Sequence, residues 1–349
     1  MSNNARSYLI YFGLLFVCFL LADKAQKTEN KKYVFYIALL LGLVMGLRNK
    51  TVGFDTNTYY KMFNGINSIK AARNQNDPFF YICAYLMMKI KHDPYLPIFV
   101  FSMLSNFLTI YRLWDFRDIS SYKYSVLRYF TIFYIFSFNC MRQFLSVAVA
   151  FYGSKYLDKK DYIKYLIYIF IASLFHLSAI VGVMFLFIEI KKWKELDKKQ
   201  RNFISAYLLL TPVYIGLMFY LASGRYERYF HNVTFINFSS VLIKTLLFIV
   251  VLFFFLRNKE YTNNKKIRLV FLYYFIGVII NFVGTFYQFI ERLGYYFYIY
   301  ATVYTGIIAK YKRYALLFRV IILFIVLRSF ILNCQNNAMG QMPFLFKWE

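Results

Sequence analysis

The sequence predicts an all-α protein that crosses a lipid bilayer about 12 times. Of its 349 residues, 60% are hydrophobic and 23% are aromatic, which is more apolar surface than a soluble domain of this length carries. Apolar runs near the length that spans a bilayer as a helix recur along the whole chain. Because no segment is both long enough and polar enough for a separate soluble domain, residues 1–349 are expected to form one membrane domain.

The positive charge of the chain also fits a membrane protein. Its 42 Lys and Arg against 16 Asp and Glu give a formal net charge of +26, an excess that nucleic-acid-binding proteins also show. Here, however, 27 of the basic residues fall between apolar runs, as the positive-inside rule describes for cytoplasmic loops. These six clusters are 23–32, 111–128, 155–164, 191–202, 257–268 and 310–319. We therefore expect no nucleic-acid partner, and both termini on the outer side.

The individual helices follow from the apolar runs between these clusters. The first run has only Arg6 before it and no small-x-small cleavage site after it, so it is interpreted as a span and not as a signal peptide. Segment 79–91 is too short to cross and would place the 111–128 cluster outside, so it is predicted to be a re-entrant or interfacial helix. The predicted spans are 7–22, 33–47, 95–114, 125–140, 143–157, 162–177, 178–190, 203–221, 241–256, 269–287, 294–309 and 315–332.

Ionisable side chains on the outer side, several of them at the ends of these spans, are the candidate functional residues, because charge at membrane depth is expensive. They are Arg48, Asp55, Asp77, Arg142, His176, Arg225, Glu227, Arg228, Glu291, Arg292 and Arg328. An arginine presents a rigid fork of N–H donors that pairs bidentately with phosphate oxygens, whereas a lysine offers only a point charge. A group of arginines at one rim therefore favours a diphosphate ligand.

Each of these residues also has a structural interpretation. An arginine at a span end often snorkels to lipid headgroups, and Glu291 is a neighbouring ion-pair partner for Arg292. Asp55 precedes a helical pattern from Thr56, which is typical of an N-cap. His176 lies within continuous apolar sequence, where a carbonyl oxygen can satisfy a buried ring. Its titration near neutral pH equally suits a general base.

Aromatic residues accompany the charged groups. Most of the 35 Tyr and 42 Phe are interpreted as packing, lipid-facing surface and interfacial belt. Four tyrosines stand directly beside the candidate charges and suit a sugar-binding cleft, because a ring stacks on the apolar face of a sugar while its hydroxyl bonds a sugar oxygen. These are Tyr59, Tyr60, Tyr295 and Tyr296.

Several stretches, in order along nearly the whole chain, resemble the exopolysaccharide and O-antigen polymerases of the EpsG/Wzy kind. "LRNKTVGFDTNTYYKMF" resembles the first family motif, in which an Arg is followed by a Gly and an Asp-Thr pair. "MRQFLSVAVAFYGSKYL" is similar to the second, an Arg-Gln pair followed by small residues, and "SLFHLSAIVGVMFL" to the third, a Phe-His pair. "ERLGYYF" and "MPFLFKW" fit the late segments. Phe54 stands where a small polar residue often precedes the Asp.

The resemblance implies a membrane-embedded glycosyltransferase of the GT-C type at the outer, periplasmic face of the bacterial inner membrane. Such a polymerase moves a growing glycan from polyprenyl diphosphate to a newly flipped, lipid-linked repeat unit. A chain-length regulator and a flippase of the same pathway are the expected protein partners. In this hypothesis the donor diphosphate is bound by Arg48, Arg142 and Arg292. The proton of the acceptor hydroxyl is taken by His176 or Asp55. The sugars are bound by Tyr59, Tyr60, Gln143 and Tyr295.

Neither a cofactor nor a metal ion is expected. The outer acidic residues contain no D-x-D pair, and the four cysteines show no paired C-x-x-C spacing. The alternative that stays open is a divalent ion shared by Asp55 and Glu291.

Other functions also stay open. A flippase for polyprenyl-diphosphate oligosaccharides is the main alternative, since it too needs an arginine-lined cavity, but its charge is expected through the whole depth of the bilayer. An O-antigen ligase and a membrane acyltransferase with His176 at its centre are the others.

Overall fold

The computed structural model describes residues 2–189, 202, 263–284, 288–310 and 315–349. The predicted spans 203–221 and 241–256 lie outside these residues, as do Arg225, Glu227 and Arg228. Every regular element in the described part is helical, and its only strand-like pairing is an isolated bridge between Arg48 and Phe346. The all-α prediction is therefore confirmed for this part of the chain.

The helices of the first half are α1 (Asn3–Thr28), α2 (Lys31–Gly46), α3 (Thr56–Gly65), α4 (Ile69–Arg73), α5 (Pro78–Ile90), α6 (Tyr95–Trp114), α7 (Tyr122–Arg128), α8 (Met141–Gly153), α9 (Lys155–Asp158), α10 (Tyr162–Phe175) and α11 (Met184–Glu189). A π-helical stretch, Tyr129–Tyr134, continues α7, and a 3-10 stretch, Leu177–Val183, precedes α11. Towards the C-terminus follow α12 (Lys265–Gly284), α13 (Gln288–Tyr298), α14 (Tyr300–Lys310) and α15 (Ala315–Gln335).

Most predicted spans in the described part coincide with single helices, and four are divided. The span over 125–140 is divided between α7 and the π-helical stretch, and the span over 143–157 between α8 and α9. The span over 178–190 is divided between the 3-10 stretch and α11, and the span over 294–309 between α13 and α14. Segment 79–91 is helical, as α5. By length and composition, two helices in the described ranges are long and apolar enough to cross a membrane, α1 and α6. The count of 12 crossings therefore stays a prediction.

Helix α6 is the central support of the bundle. Helix α2 packs closely along it because two glycines face it: a Cβ at Gly42 would collide with Met103, and one at Gly46 would collide with Phe99. Helix α8 packs against another side of α6, and α10 packs against α8. The ends of α6 and α8 therefore sit at fixed positions on both sides of the molecule.

The C-terminal residues after α15 fold back over the loop that joins α2 to α3. The Asn49 N–H donates to Leu345 O at 2.8 Å, and the Lys347 N–H donates to Leu47 O at 2.8 Å. The Gly53 N–H donates to Gly340 O at 2.7 Å. Because an unpaired backbone donor inside a protein is costly, these bonds hold the α2–α3 loop in one conformation. The same loop delivers Asp55 to the site described next.

Candidate active site

Arg48 lies in the α2–α3 loop, but its side chain points into the protein. Its Nε donates to Thr56 Oγ1 at 3.1 Å, Nη2 donates to Phe138 O at 3.3 Å, and Nη1 donates to Met45 O. The guanidinium is fully buried and lies 5.0 Å from the centre of the Phe138 ring. Burial lowers its pKa to about 10, so it remains a cation at neutral pH. The diphosphate role predicted for Arg48 is not supported, because its guanidinium is fully buried and bonds only protein acceptors; the residue holds the loop in place.

Most other predicted site residues meet in one cleft of about 220 Å³. Helices α3, α5, α8 and α13 form its walls, together with the turn after α10. The lining residues are Asp55, Thr58, Tyr59, Met62, Tyr81, Cys140, Arg142, Gln143, His176 and Arg292. All of them come from segments predicted to lie at the outer ends of the spans. Residues that are far apart in sequence, such as Asp55 and Arg292, therefore converge on one side of the bundle.

A buried carboxylate, that of Asp77, lies behind the lining of this cleft and bonds two of its residues. Its Oδ2 lies 2.8 Å from His176 Nδ1 and accepts a hydrogen bond of 2.9 Å from Arg142 Nη1. Its Oδ1 accepts from the Leu177 N–H at 3.3 Å. The carboxylate itself is fully shielded from solvent, whereas the His176 side chain is 12% exposed and the Arg142 side chain 24% exposed. Asp77 therefore positions two residues of the cleft without lining it.

These contacts determine which nitrogen of His176 carries the proton. Burial alone would raise the pKa of Asp77, but His176, Arg142 and the Leu177 N–H more than offset it, so the pKa lies below its usual range. The carboxylate is therefore ionised and can only accept hydrogen bonds. Nδ1 of His176 must donate to it, which leaves the lone pair of a neutral ring on Nε2. The same arrangement of carboxylate and imidazole prepares a histidine for general-base catalysis.

Arg142 stands at the first turn of α8, where the chain has only a short turn before it. Besides Asp77, its Nη1 donates to Asn76 O at 3.0 Å. Its guanidinium lies 5.5 Å from the centre of the Tyr81 ring. The side chain is thus held by α5 and by the turn before α5. A fixed guanidinium of this kind presents charge at a defined place in the cleft.

Asp55 and Arg292 also line the cleft. Helix α3 begins at Thr56 as predicted, but the Asp55 side chain makes no capping hydrogen bond. Burial raises the pKa of Asp55, and Arg292 and Arg142 partly offset this. Gln143 Nε2 donates to Arg292 O at 2.7 Å, which ties α13 to α8. One carboxylate of the lining therefore lies close enough to both arginines for their charge to act on it.

Two of the predicted sugar-binding residues lie elsewhere. Tyr60 packs on Tyr95 with 5.1 Å between ring centres, and Tyr295 packs on Phe136 at 5.2 Å. Neither lines the cleft. Adjacent residues on a helix face different directions, so proximity to a charged residue in sequence does not place a ring in the same site. Tyr59 and Gln143 do line the cleft, as Asp55, Arg142, His176 and Arg292 do.

Comparison with known proteins identifies the family of the chain. Residues 31–346 match the model of the EpsG family. The chain belongs to the EpsG family. All lining residues of the cleft fall within the matched region. No curated protein and no solved structure matches the chain. Membership of the EpsG family indicates a function of the polysaccharide-polymerase type and a membrane location.

Sequence reasoning counted Asp77 among the outer ionisable residues of this EpsG-family chain but gave it no role. Ninety-nine positions separate it from His176, so no local spacing connects the two. One signal was available: Asp77 precedes Pro78 at the start of α5, and a proline at the first helical position marks the turn that ends in Asp77. That turn has a left-handed backbone at Asp77, with φ of 57°, which directs the carboxylate inward. Tyr81, one turn later on α5, was also missed.

Within the described ranges of this EpsG-family chain, no three His, Cys, Asp or Glu residues are grouped so that they could hold a metal ion. Ca²⁺ takes six to eight oxygen ligands, whereas Mg²⁺ is usually held by one or two carboxylates with waters and substrate phosphates. A reaction without a metal ion stays a prediction.

Proposed function

We propose that this member of the EpsG family is a polysaccharide polymerase. It transfers a growing glycan from polyprenyl diphosphate to the terminal sugar of an incoming lipid-linked repeat unit, at the periplasmic face of the bacterial inner membrane. The supporting observation is the cleft in which His176, held by buried Asp77, faces a group of arginines. A base and a cationic site for a leaving group are the two parts that this transfer needs.

In the proposed reaction, a hydroxyl of the acceptor sugar attacks the anomeric carbon of the donor glycan. The new C–O bond forms while the bond between that carbon and the diphosphate oxygen breaks, and the electron pair leaves with the diphosphate. The proton of the attacking hydroxyl passes to Nε2 of His176. Asp77 stabilises the imidazolium that results, as a carboxylate does in other histidine-based sites.

Arg142 and Arg292 are proposed to bind the donor diphosphate. Negative charge grows on the leaving oxygen as the glycosidic bond breaks, so fixed cations at that point stabilise the transition state more than the ground state. Arg142 is already oriented by Asp77 and Asn76. Little reorganisation of this residue is therefore needed when the donor enters.

Asp55 is proposed to bind hydroxyl groups of the acceptor sugar. It lines the same cleft as His176, and its carboxylate makes no capping bond within its own helix. It is also the second candidate for the base, because burial raises its pKa. Tyr59 and Gln143 complete this wall.

The volume of the cleft limits what it can hold. Sites for whole small-molecule ligands usually measure about 300–1,000 Å³, and this cleft measures about 220 Å³. It suits the reacting sugar and the adjoining phosphate. The remaining glycan and the polyprenyl chains extend outside it.

A flippase is the alternative function on which the buried residues of α6 bear. A flippase for the same lipid needs a charged path through the bundle, whereas the buried face of α6 between Ser102 and Thr109 carries only neutral groups. Ser105 and Thr109 donate to carbonyl oxygens within α6, and Asn106 bonds Ser102 O and Tyr129. This uncharged middle part of α6 does not favour a flippase.

Deletion of the gene distinguishes the two functions. A polymerase mutant still exports single repeat units, so its surface glycan should show one repeat in place of a ladder. Complementation with the intact gene should restore the ladder. Loss of all repeat units from the surface would contradict the proposal and indicate a flippase.

A further inference from the structure

A second cleft, of about 310 Å³, lies at the other ends of α6 and α8. Its lining residues are Lys31, Tyr111, Arg112, Trp114, Asp115, Tyr152, Lys155, Asp158 and Lys159. Gln143 of the first cleft and Tyr152 of the second are nine residues apart on α8, or about 14 Å along the helix axis. The three basic segments that supply most of this lining, 23–32, 111–128 and 155–164, were all predicted to be cytoplasmic. We call this site the basal cleft.

The basal cleft is built around a buried cation. Arg112 is 2% exposed, and its Nε donates to Ser154 Oγ at 3.1 Å. Its Nη2 donates to Asp158 at 2.8 Å, its Nη1 donates to Asp115 at 3.4 Å, and the guanidinium lies 4.3 Å from the centre of the Phe116 ring. Both carboxylates of the lining are therefore engaged by one arginine. Burying a cation so completely requires such partners.

The remaining charges of the lining are positive. Lys31, Lys155 and Lys159 bring the cations to four against two carboxylates, so the lining has an excess of two positive charges. Trp114, which is 2% exposed, also borders this cleft, and its indole N–H has no hydrogen-bond acceptor among the residues that the structure describes. A buried donor without an acceptor costs free energy. Positive charge and an unsatisfied donor together favour an anionic ligand.

An exposed aromatic surface leads from the basal cleft along α2 and α6. Tyr111 of the lining stacks on Phe107 with 6.2 Å between ring centres, and Phe107 contacts Phe35 at 5.4 Å. Phe35 is 41% exposed and Leu104 is 39% exposed. Lys31 lies one helical turn before Phe35, so the apolar surface starts where the charged lining ends. This arrangement matches an amphiphile with a charged head and a hydrocarbon chain.

We propose that the basal cleft binds the phosphate headgroup of an anionic phospholipid from the cytoplasmic leaflet. One acyl chain lies along Phe35, Leu104 and Phe107, and the phosphate contacts the lysines. Juxtamembrane lysines attract anionic lipids in this way. The proposal does not depend on the polymerase function, because the two clefts share no lining residue.

The test compares lipids on the purified full-length chain in detergent. Phosphatidylglycerol, phosphatidylcholine and inorganic phosphate are each titrated, and binding is followed by native mass spectrometry and by the midpoint of thermal unfolding. Phosphatidylglycerol should bind and raise the midpoint, whereas phosphatidylcholine and inorganic phosphate should not. Inorganic phosphate distinguishes a free anion from a lipid, because it lacks the chain that the aromatic surface accommodates.

A matched pair of variants locates the site. Lys155→Gln with Lys159→Gln removes two charges from the basal cleft and should weaken phosphatidylglycerol binding about tenfold or more. Lys27→Gln with Lys164→Gln removes the same charge from exposed residues on the same predicted face, whose ion pairs are with Asp23 and Asp161, and should leave binding unchanged.

Trp114→Phe provides an independent check of the unsatisfied donor. It removes the N–H and keeps a ring in the core, so it should weaken lipid binding several-fold without lowering the midpoint measured in the absence of lipid. Equal binding of phosphatidylcholine, an equal shift with inorganic phosphate, or wild-type affinity in the Lys155→Gln, Lys159→Gln variant would overturn the proposal.

Discussion

The two clefts at opposite ends of α6 and α8 are built with opposite charge arrangements. In the outer cleft a fully buried acidic residue, Asp77, bonds two partly exposed basic residues, His176 and Arg142. In the basal cleft a fully buried basic residue, Arg112, bonds two partly exposed acidic residues, Asp115 and Asp158. The buried group in each case fixes the geometry, and the exposed groups around it face whatever enters.

This difference separates a site for chemistry from a site for anchoring. The outer cleft presents an imidazole and guanidinium groups, which transfer protons and bind phosphates with defined geometry. The basal cleft presents lysines, which supply charge on flexible side chains and attract anions with little geometric demand. The same two helices support both sites, so each can be altered while the other serves as a control.

The largest expected effect concerns which side of the membrane each cleft faces, because a cysteine is either labelled from outside or not labelled at all. In a chain whose partly exposed Cys83 and Cys140 are replaced by Ser, a membrane-impermeant reagent should modify Cys placed at Asn67 and spare Cys placed at Asn263. Both positions are exposed on the protein surface, so accessibility alone does not separate them. The reverse pattern would place the outer cleft in the cytoplasm and contradict the comparison between the clefts.

Removal of the proposed base should have the largest effect on catalysis. His176→Ala should reduce the polymerisation rate by about 10² to 10⁴, the usual contribution of a general base. His92→Ala is the matched control, since His92 is an exposed residue after α5, and it should retain activity. If His176→Gln keeps near-normal activity while Asp55→Ala does not, the base is Asp55 and the histidine is structural.

Substitution of Arg142 tests the geometry of the leaving-group site. Arg142→Ala should reduce the rate by about 10² to 10³, the typical loss when one charge-stabilising donor is removed. Arg142→Lys should be nearly as impaired, because lysine keeps the charge and loses the fork. Arg319→Lys is the control, as Arg319 bonds Ala309 O on the side predicted to be cytoplasmic. A normal glycan ladder with Arg142→Ala at equal protein level would exclude Arg142 from the site.

Asp77 acts through its neighbours, since it does not line the cleft itself. Asp77→Asn should reduce polymerisation by up to about 10⁴, because an amide no longer fixes the tautomer of the catalytic histidine, and Asp77→Glu should restore part of it. Asp93→Asn provides the control, since its ion pair with Lys91 at 3.7 Å is partly exposed. Activity of Asp77→Asn equal to that of the control would remove Asp77 from the mechanism.

The pH dependence of the unfolding temperature distinguishes an electrostatic role of Asp77 from a role in packing alone. Because the pKa of Asp77 is lowered in the folded chain, its carboxylate stabilises the fold above the unfolded pKa of about 3.9. Wild type should therefore unfold at a higher temperature than Asp77→Asn at neutral pH. The difference should shrink as the pH falls below about 4 and vanish once the pH passes the lowered folded pKa. A difference that does not change with pH would show that charge is not involved.

Sequence alone predicted the all-helical class of the described part and selected most of the residues that the structure brings into one cleft. Hydropathy and the positions of Lys and Arg predicted where the spans end, and residues at several of these predicted ends lie together in the outer cleft. Asp55, Arg142, His176 and Arg292 were therefore selected together. Pattern reasoning works here because charge at membrane depth needs a partner or a function.

The sequence patterns did not predict in which direction each side chain points. Arg48 has the same residue type and predicted depth as Arg142, yet it bonds backbone carbonyls inside the bundle, whereas Arg142 borders the cleft. The difference arises from the C-terminal residues, which close over the α2–α3 loop through contacts some 300 positions away in sequence. The pairing of Asp77 with His176 is non-local in the same way. Such contacts leave no periodic signal in one sequence.

The most direct test of the central claim is polymerisation by the purified chain in proteoliposomes with a single polyprenyl-diphosphate-linked repeat unit. If the outer cleft performs the transfer with its own side chains, wild type should convert this substrate into a ladder of longer glycans in the presence of excess EDTA. His92→Ala should do the same, and His176→Ala should leave the single repeat unchanged. A ladder from His176→Ala at the wild-type rate would contradict the account. So would activity that EDTA abolishes and Mg²⁺ or Mn²⁺ restores, since Asp55 would then be a metal ligand.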